Sequence, residues 1–546
     1  MLAFVSPIVR RSFVVLAAVV VCASLALTAR RATDAPATSD TAVIESYTLL
    51  ASQGHLLVGA YSRFQWHHPG PLYFFLLAPF YALSGDRTAG LNAGAATISL
   101  ASMAIVALVL MRRRPALAVL GCGVLALFAV RSAEALASPW NPHVTLLPTL
   151  ALIVVAADVV AGNALALPLV ALLATLAGQA HIALLPCVVV LGAIAFLRAS
   201  AGAVAATGRR VWRWSIILTV VTLLTLWALP LYEQVIGAPR GNITELWHFF
   251  INQARGGQPL AVAVSAWSDM MVGVVRPDFY VAHGWPFVES PVRWAEWVSL
   301  AELAAVATFA IRAVRRRDWF DAALGGLIVV ASSVALWSAT RIDGRIFDHD
   351  VFWMVGIGVL SLAVTGELVL SVAVSSGLKT RRYVLAATRR YVRSTTRRYV
   401  LSDRFAGAVC VVLLAVAGGA VVWQVQEAVR RSYEPSADAQ RARAVGADLA
   451  AYLDMERVVR PLIKIDQDAW GVAAGAILDL QKHGRPVSVE EDWVVMFTPA
   501  FRITGREDAV VTIAMPAEHV RLAERGVPTI SAHEPIYAHA ARVSAP

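Results

Sequence analysis

The sequence predicts an all-α, multi-pass membrane protein with about eleven transmembrane helices and a small α/β domain at its C-terminal end. Three observations predict this fold class. Of the 546 residues, 58% are hydrophobic and only 15% are charged, and the mean hydropathy of +0.63 is too high for a soluble domain. Apolar runs of roughly 20 residues, the length that crosses a bilayer, recur along the chain. After about residue 435 the composition becomes charged and mixed.

Eleven apolar runs are the predicted crossings, and the third and fifth of them are short. They cover residues 12–28, 90–111, 116–130, 144–160, 164–178, 181–197, 214–232, 294–311, 320–339, 351–373 and 405–424. The first run could instead be a cleaved secretory signal, because a basic segment precedes it and small residues follow it. The four cysteines lie inside apolar runs, which indicates neither a disulfide framework nor a zinc site.

The positions of the arginines predict which side of the membrane each loop faces. Lys and Arg accumulate in cytoplasmic segments, and clusters such as Arg112–Arg114 and Arg315–Arg317 fall on one side if the N-terminus is cytoplasmic. The net charge of +10 is therefore explained by basic residues in the predicted inner loops, and it does not indicate a surface that binds nucleic acid. The predicted membrane domain, 1–424, then has outer loops 29–89, 233–293 and 340–350, and the domain at 425–546 lies outside the cell membrane.

The basic inner loop 374–404 contains TRRYV three times at a spacing of eight residues. On a helix this spacing gives no single face. We interpret the loop as a duplicated linker that strengthens the positive-inside signal. A segment that binds anionic lipid is the alternative.

The C-terminal domain is predicted from a strand–helix–strand order. LIKID (462–466), PVSVE (486–490) and AVVTIAM (509–515) have the composition of strands, and 468–484 has helical spacing with Gly484 at its end. That order is typical of a small α/β domain. The domain lacks a glycine-rich phosphate loop, a nucleophile elbow and a metal-ligand cluster.

Candidate catalytic and binding residues gather on the predicted outer side. Asp40 and Glu45 follow the first span, and a carboxylate held just outside a membrane can act as a general base. A solvated loop acid or a helix cap is the alternative for each. At a spacing of five the two acids do not share a helix face. The candidates for substrate binding are Arg63, His67, His68, Asn141, His143, Gln179, His181, Arg341 and Arg345.

Two of these candidates are arginines in the segment RIDGRIFDHD. Arg341 and Arg345 could hold a phosphate or pyrophosphate by bidentate contacts. Pairing with Asp343 and Asp348 is the alternative.

The stretch YSRFQWHHPGPLYFFLLAPFY at residues 61–81 predicts a short helix along the outer leaflet. Its apolar run of about thirteen residues is too short to cross a bilayer, and its aromatic side chains suit the headgroup boundary. We expect His67, His68 and Arg63 to face water at the entrance of a cavity near Asp40. An aromatic interface anchor with incidental histidines is the alternative.

Four stretches together resemble a known family: SDTAVIESY with Asp40, HHPGPLYFFLLAPFYALSG, SPWNPHVTLLPTLALIVVAA and AGQAHIALLPCVVVLGAIAFL. The chain resembles the membrane-embedded glycosyltransferases of the GT-C type, in particular the bacterial group near the aminoarabinose and protein O-mannosyl transferases. The likeness covers about residues 10–370, and the tail from residue 430 lies outside the shared core, although a periplasmic C-terminal domain is common in such enzymes. Many relatives have adjacent Asp and Glu, whereas Thr41 follows Asp40 here, so the choice between Asp40 and Glu45 stays open.

The resemblance implies sugar transfer at the outer face of the cytoplasmic membrane. The donor would be a polyprenyl-phosphate-linked sugar, and the acceptor an envelope glycan, lipid or protein. The first-loop acid would be the general base, an arginine or histidine set would hold the lipid phosphate, and His67 and His68 would line the cavity. No cofactor and no metal ligand is singled out, and a need for a divalent metal stays open.

Two other classes of protein stay open. A transporter or flippase would place ionisable residues near the bilayer midplane and break helices in two matching halves. A non-enzymatic membrane scaffold would bind a partner through its outer tail.

Overall fold

Apolar helices make up the membrane part of the chain, and a five-stranded sheet follows them. The computed structural model describes residues 37–202, 208–237, 239–253, 256–276, 291–387 and 436–543, together with parts of 14–26. Most of the first predicted span, almost all of the last one (405–424) and the TRRYV repeats beyond residue 387 lie outside the described residues.

Seven of the described helices are long and apolar enough to cross a membrane. They are Thr88–Arg113, Asn141–Val160, Ile182–Ala201, Arg209–Ile236, Arg293–Arg316, Trp319–Thr340 and Asp348–Val372. Shorter apolar helices are Leu72–Leu83, Pro115–Arg131, Ala164–Ala180 and Leu260–Met271. The chain is therefore a multi-pass membrane protein. Every predicted span between residues 90 and 373 coincides with a helix, while the number of eleven crossings stays a prediction.

The helix Asn141–Val160 lies at the centre of the bundle. Its apolar window is 94% buried, against 17% for the helix Arg209–Ile236 at the periphery. A helix that is apolar on all sides fits either place, because its backbone is satisfied internally and its surface can face lipid or protein.

Contacts between loops group the chain segments at two ends of the bundle. At one end, the Arg63 guanidinium donates to the carbonyl of Arg345 at 3.1 Å, and the backbone N–H of Gln258 donates to the carbonyl of Thr340 at 2.9 Å. The described parts of the predicted outer loops 29–89, 233–293 and 340–350 thus lie together. Which end faces the cytoplasm stays a prediction.

Ion pairs join helix ends at the opposite end of the bundle. Asp158, which is buried, pairs with Arg112 and Arg113. Arg114 pairs with Asp318 at 2.6 Å and with Asp321. The predicted inner turns after Arg113 and Arg316 are therefore neighbours, in agreement with the predicted grouping.

The aromatic helix Leu72–Leu83 packs on protein along one side. Its neighbours are the helix Ser39–Ser52, which carries both candidate acids, and the helix Thr88–Arg113. Tyr73, Phe74, Leu77 and Tyr81 are buried there. The predicted short helix is present. It was expected to lie along the outer leaflet, but it is inserted between other helices of the protein.

The C-terminal part is a mixed sheet with helices. The strands are β1 (Pro461–Ile465), β2 (Ser488–Val489), β3 (Ala509–Ala514), β4 (Thr529–His533) and β5 (Ile536–Arg542), in the order β2-β1-β3-β5-β4. β1 is parallel to β2 and β3, and β5 is antiparallel to β3 and β4. The helices are Ala437–Met455, Trp470–Lys482, Glu491–Phe497 and Pro516–Glu524. The predicted strands and helix are present, and the hairpin β4–β5 is additional.

The hydrophobic core of this sheet continues into the membrane part. One cluster of buried side chains contains Val472 and Ile477 of the C-terminal part together with Ile44 and Leu77 of the predicted first outer loop. The two parts therefore share a core.

Candidate active site

Asp40 lies in the first turn of the helix Ser39–Ser52, at the end of the bundle where the predicted outer loops meet. The hydroxyl of Tyr61 donates a hydrogen bond to Asp40 Oδ1. Tyr61 is held in a short loop in which it pairs in antiparallel fashion with His67. Asp40 and Tyr61 border a pocket whose other lining residues are Val43, Ile44, Tyr47, Ala60, Phe74, Trp140 and Asn141.

The surroundings of Asp40 raise the pKa of its carboxyl group. Burial is the largest cause, and the hydrogen bond from Tyr61 and the charge of His349 oppose it. A carboxyl group with a raised pKa at the edge of a pocket is a candidate acid or base, because proton transfer is most effective when the pKa lies near the working pH.

Trp140 and Asn141 form the wall opposite the helix Ser39–Ser52. The Asn141 amide donates to the carbonyl of Ala180 at 3.0 Å, which fixes its side chain. The ring of His349 lies 5.5 Å from the Trp140 ring between centroids, and that of His143 lies 4.9 Å from it. Asn141 therefore lines the pocket, and the buried His143 supports its wall.

His67 and His68 are buried, and the expectation that they face water is wrong. His68 Nδ1 accepts a hydrogen bond from the backbone of Ile182 at 3.1 Å, and its ring packs 4.6 Å from that of His181. The Asn242 side chain bonds both the amide and the carbonyl of His67, at 2.9 Å each. Burial lowers the pKa of His67 to about 4 and that of His68 well below its usual value. Both rings are neutral near pH 7.

Arg63, Arg345 and Phe347 form a cluster, here called the rim, beside the 340–350 loop, whose His349 packs on the pocket residue Trp140. Besides its bond to the Arg345 carbonyl, Arg63 lies 3.8 Å from Asp350 and stacks over Phe347 at 4.4 Å. The Arg345 guanidinium lies 5.5 Å from the same ring. Arg341 is exposed at the end of the helix Trp319–Thr340. The structure thus gathers Arg63 and Arg345 around one aromatic ring.

Gln179 holds the backbone behind the pocket. Its Oε1 accepts from the amide of Leu72 at 3.2 Å, and its Nε2 donates to the carbonyl of Leu226 at 2.8 Å. A Cβ atom on Gly70 would lie 2.4 Å from that Oε1, so a larger residue there would displace the Gln179 side chain. With both polar atoms used, Gln179 joins the aromatic helix to a membrane helix.

Glu45 lies on another face of its helix from Asp40, as the spacing of five predicts, and does not line the pocket. Its carboxylate is fully buried and pairs with Lys482 of the C-terminal part. The structure thus separates the two candidate acids, and Asp40 alone of them borders the pocket. Within the residues described, no group of three or more His, Cys, Asp or Glu side chains could hold a metal ion.

The sequence did not single out Tyr61 and His349, the two side chains that act most directly on Asp40. Tyr61 is 21 residues from Asp40 along the chain, a separation at which no local pattern predicts contact. A run of Asp and His at residues 348–350 was the available signal for His349.

Comparison with known proteins identifies solved structures that share the fold of this chain. No family model matches the chain, and no curated protein sequence does. Two solved structures of ArnT from Cupriavidus metallidurans, one bound to undecaprenyl phosphate and one in the apo state, match with a TM-score of 0.52 and 12% identity. The match covers 96% of this chain and 97% of the ArnT chain.

The match extends further along the chain than residues 10–370, because 96% of the chain includes most of residues 430–546. The fold expected from the GT-C resemblance is confirmed, and the chain has the overall fold of ArnT from its membrane helices to its C-terminal sheet.

Proposed function

We propose that the chain is a polyprenyl-phosphate-dependent membrane glycosyltransferase whose general base is Asp40. The observation that carries the proposal is the Asp40–Tyr61 pair at a pocket edge, at the end of the bundle where the loops meet. The fold supports it, because the ArnT structure that shares this fold was solved with undecaprenyl phosphate bound. The proposed donor is a sugar on polyprenyl phosphate, and the proposed acceptor is an envelope glycan, lipid or protein outside the cytoplasmic membrane.

In the proposed reaction, Asp40 accepts the proton of an acceptor hydroxyl while that oxygen bonds to the anomeric carbon of the donor sugar. The bond from this carbon to the phosphate oxygen breaks, and its electron pair leaves with polyprenyl phosphate. Arg63 and Arg345 at the rim would offset the growing negative charge of the leaving phosphate.

The hydrogen bond from Tyr61 has a separate part in this reaction. It fixes the Asp40 carboxylate by Oδ1, which leaves Oδ2 as the atom for the proton. Holding a base in one orientation lowers the entropic part of the barrier.

A strain that lacks the gene tests the proposal, by mass analysis of its envelope glycans and lipids. We expect one sugar linkage to be missing and to return with the wild-type gene. Asp40→Asn should restore less than about 1% of it, because loss of a general base costs on the order of 10²- to 10⁴-fold. Asp86→Asn, an exposed carboxylate of the same loop, is the matched control and should restore it fully. Full restoration by Asp40→Asn at equal membrane level would remove the proposed mechanism.

A further inference from the structure

We infer that the C-terminal part positions the general base: the helix Trp470–Lys482 holds the helix Ser39–Ser52, and so Asp40, through Lys482, Gly471 and Gly475. This inference rests on the proposed function and adds three positioning residues to it. None of the three lines the pocket.

The first contact is a buried ion pair. Lys482 Nζ pairs with Glu45 Oε1, the Tyr81 hydroxyl donates to the same oxygen at 3.1 Å, and the Thr88 hydroxyl donates to Oε2 at 2.6 Å. A buried carboxylate is costly unless charge and hydrogen bonds compensate it. Here three donors do so, and one of them is the C-terminal cation. The middle of the helix Ser39–Ser52 is therefore tied to Lys482.

The second contact is a close approach at the start of the same helix. A Cβ atom on Gly471 would lie 2.5 Å from Ser39 Oγ, and one on Gly475 would lie 2.6 Å from the carbonyl of Ala37. At Gly475 the clash would be with backbone, so the close approach there depends on glycine. At Gly471 a side chain would require the Ser39 hydroxyl to rotate away. The residue that touches Gly471 directly precedes Asp40.

Ser39 itself shows that this approach constrains the backbone. Its φ of +50° lies in the left-handed region, which is unfavourable for a residue other than glycine. Such a conformation persists where the surrounding structure holds it. The contact with Gly471 is part of that surrounding, and the constrained residue sets the direction in which Asp40 leaves the chain.

The third contact links the C-terminal part to a pocket wall. Tyr47 lines the pocket, and its hydroxyl donates to the carbonyl of Val495 at 3.1 Å. Its neighbour Ser46 donates to Gln481 Oε1 at 2.6 Å. The helix is thus attached at its start and middle, on faces that leave Asp40 directed at the pocket. Misplacement of a catalytic group by about 1 Å can cost on the order of 100-fold in rate.

The experiment compares full-length variants purified in detergent. The probe is the lipid extract of the strain that lacks the gene, which contains the unused donor, and the readout is release of polyprenyl phosphate. The main variant is the neutral pair Glu45→Gln/Lys482→Met, which removes both charges and keeps groups that can bond Tyr81 and Thr88. Gly475→Ala disturbs the second contact, at the Ala37 carbonyl, without touching Glu45; the added methyl group would also meet the Ala442 Cβ atom at 2.7 Å. Lys464→Met is the control, since it also breaks a lysine–glutamate pair of the sheet domain (Lys464–Glu490, 3.0 Å), but one whose two side chains are exposed.

We expect the neutral pair and Gly475→Ala to lower kcat by about 10- to 100-fold with KM for the donor changed less than about threefold. Lys464→Met should match the wild type, and Lys482→Arg should recover most of the rate. The acidic limb of the pH–rate profile should move to lower pH in the neutral pair, because a displaced Asp40 is less buried. A merely structural role would not move it.

Two results are kept distinct. Wild-type kcat in both the neutral pair and Gly475→Ala, while Asp40→Asn is inactive, overturns the inference and leaves the proposed function standing. A lower kcat with an unmoved acidic limb and a lower melting temperature also overturns it, since general destabilisation then explains the loss. Activity of Asp40→Asn equal to the wild type removes the proposed function itself.

Discussion

Replacing Tyr61 by phenylalanine removes the hydrogen-bond donor to Asp40 and keeps the ring that lines the pocket. That bond lowers the pKa of Asp40, against the larger effect of burial, which raises it. Losing the donor therefore raises the pKa further. A hydrogen bond to a charged group contributes about 1.5–3 kcal/mol, and about 1.4 kcal/mol corresponds to one pKa unit. We expect a rise of roughly 1 to 2 pH units.

The rise is visible in the pH dependence of the rate. A general base works only when ionised, so kcat/KM falls as the pH drops through the pKa of Asp40. The acidic limb of Tyr61→Phe should lie about 1 to 2 pH units above that of the wild type. The assay follows polyprenyl phosphate release by the purified variant between pH 5 and pH 9, a window of about four units around neutrality.

Tyr73→Phe is the matched control. The hydroxyl of this buried tyrosine donates to the carbonyl of Pro139 at 2.6 Å and does not bond Asp40, so its acidic limb should stay in place. If the limb of Tyr61→Phe coincides with that of the wild type, or moves to lower pH, Asp40 is not the group that titrates and the reasoning fails.

Two more predictions concern the rim and the buried histidines. Arg63→Ala should raise KM for the polyprenyl donor about tenfold or more, since a charge-assisted contact is lost. Arg63→Lys should raise this KM less, and the control Arg87→Ala, on the same loop, should leave it unchanged. An unchanged KM in Arg63→Ala would exclude Arg63 as a phosphate contact. Burial lowers the pKa of His67 to about 4, so the unfolded state binds more protons between pH 6.5 and pH 4. The free energy of unfolding should therefore decrease by up to about 3 kcal/mol as the pH falls through that window. The melting temperature should fall with it, and should fall less in His67→Phe. An equal fall in His67→Phe would contradict this prediction.

The helices of the membrane part could be predicted because their signal is local. Apolar runs set their positions, and the arginine clusters set their grouping, as the pairs of Arg113 with Asp158 and of Arg114 with Asp318 show. The strands β1 and β3 could be predicted for the same reason, since alternation and flanking residues are enough. In each case the physical cause acts within a few neighbouring residues.

The surroundings of the site could not be predicted in this way. His68 looked solvent-facing because a polar ring before an apolar run has no local partner, but its partner is the backbone of Ile182. From the sequence, Glu45 and Asp40 are equivalent candidates for the base. In the structure Glu45 pairs with Lys482, which is far away along the chain. The aromatic helix was predicted to lie at the membrane interface because the sequence near Tyr81 does not indicate which segment buries this side chain. These outcomes depend on contacts between distant segments.

The contact of Gly475 with Ala37 joins segments that the ribosome makes at very different times. Residues around Asp40 leave the ribosome early, whereas the helix Trp470–Lys482 exists only when synthesis is nearly complete. Until then Glu45 lacks the cation that neutralises it. If the pocket needs this support, a chain that stops before Trp470 lacks the proposed activity even with all its membrane helices inserted.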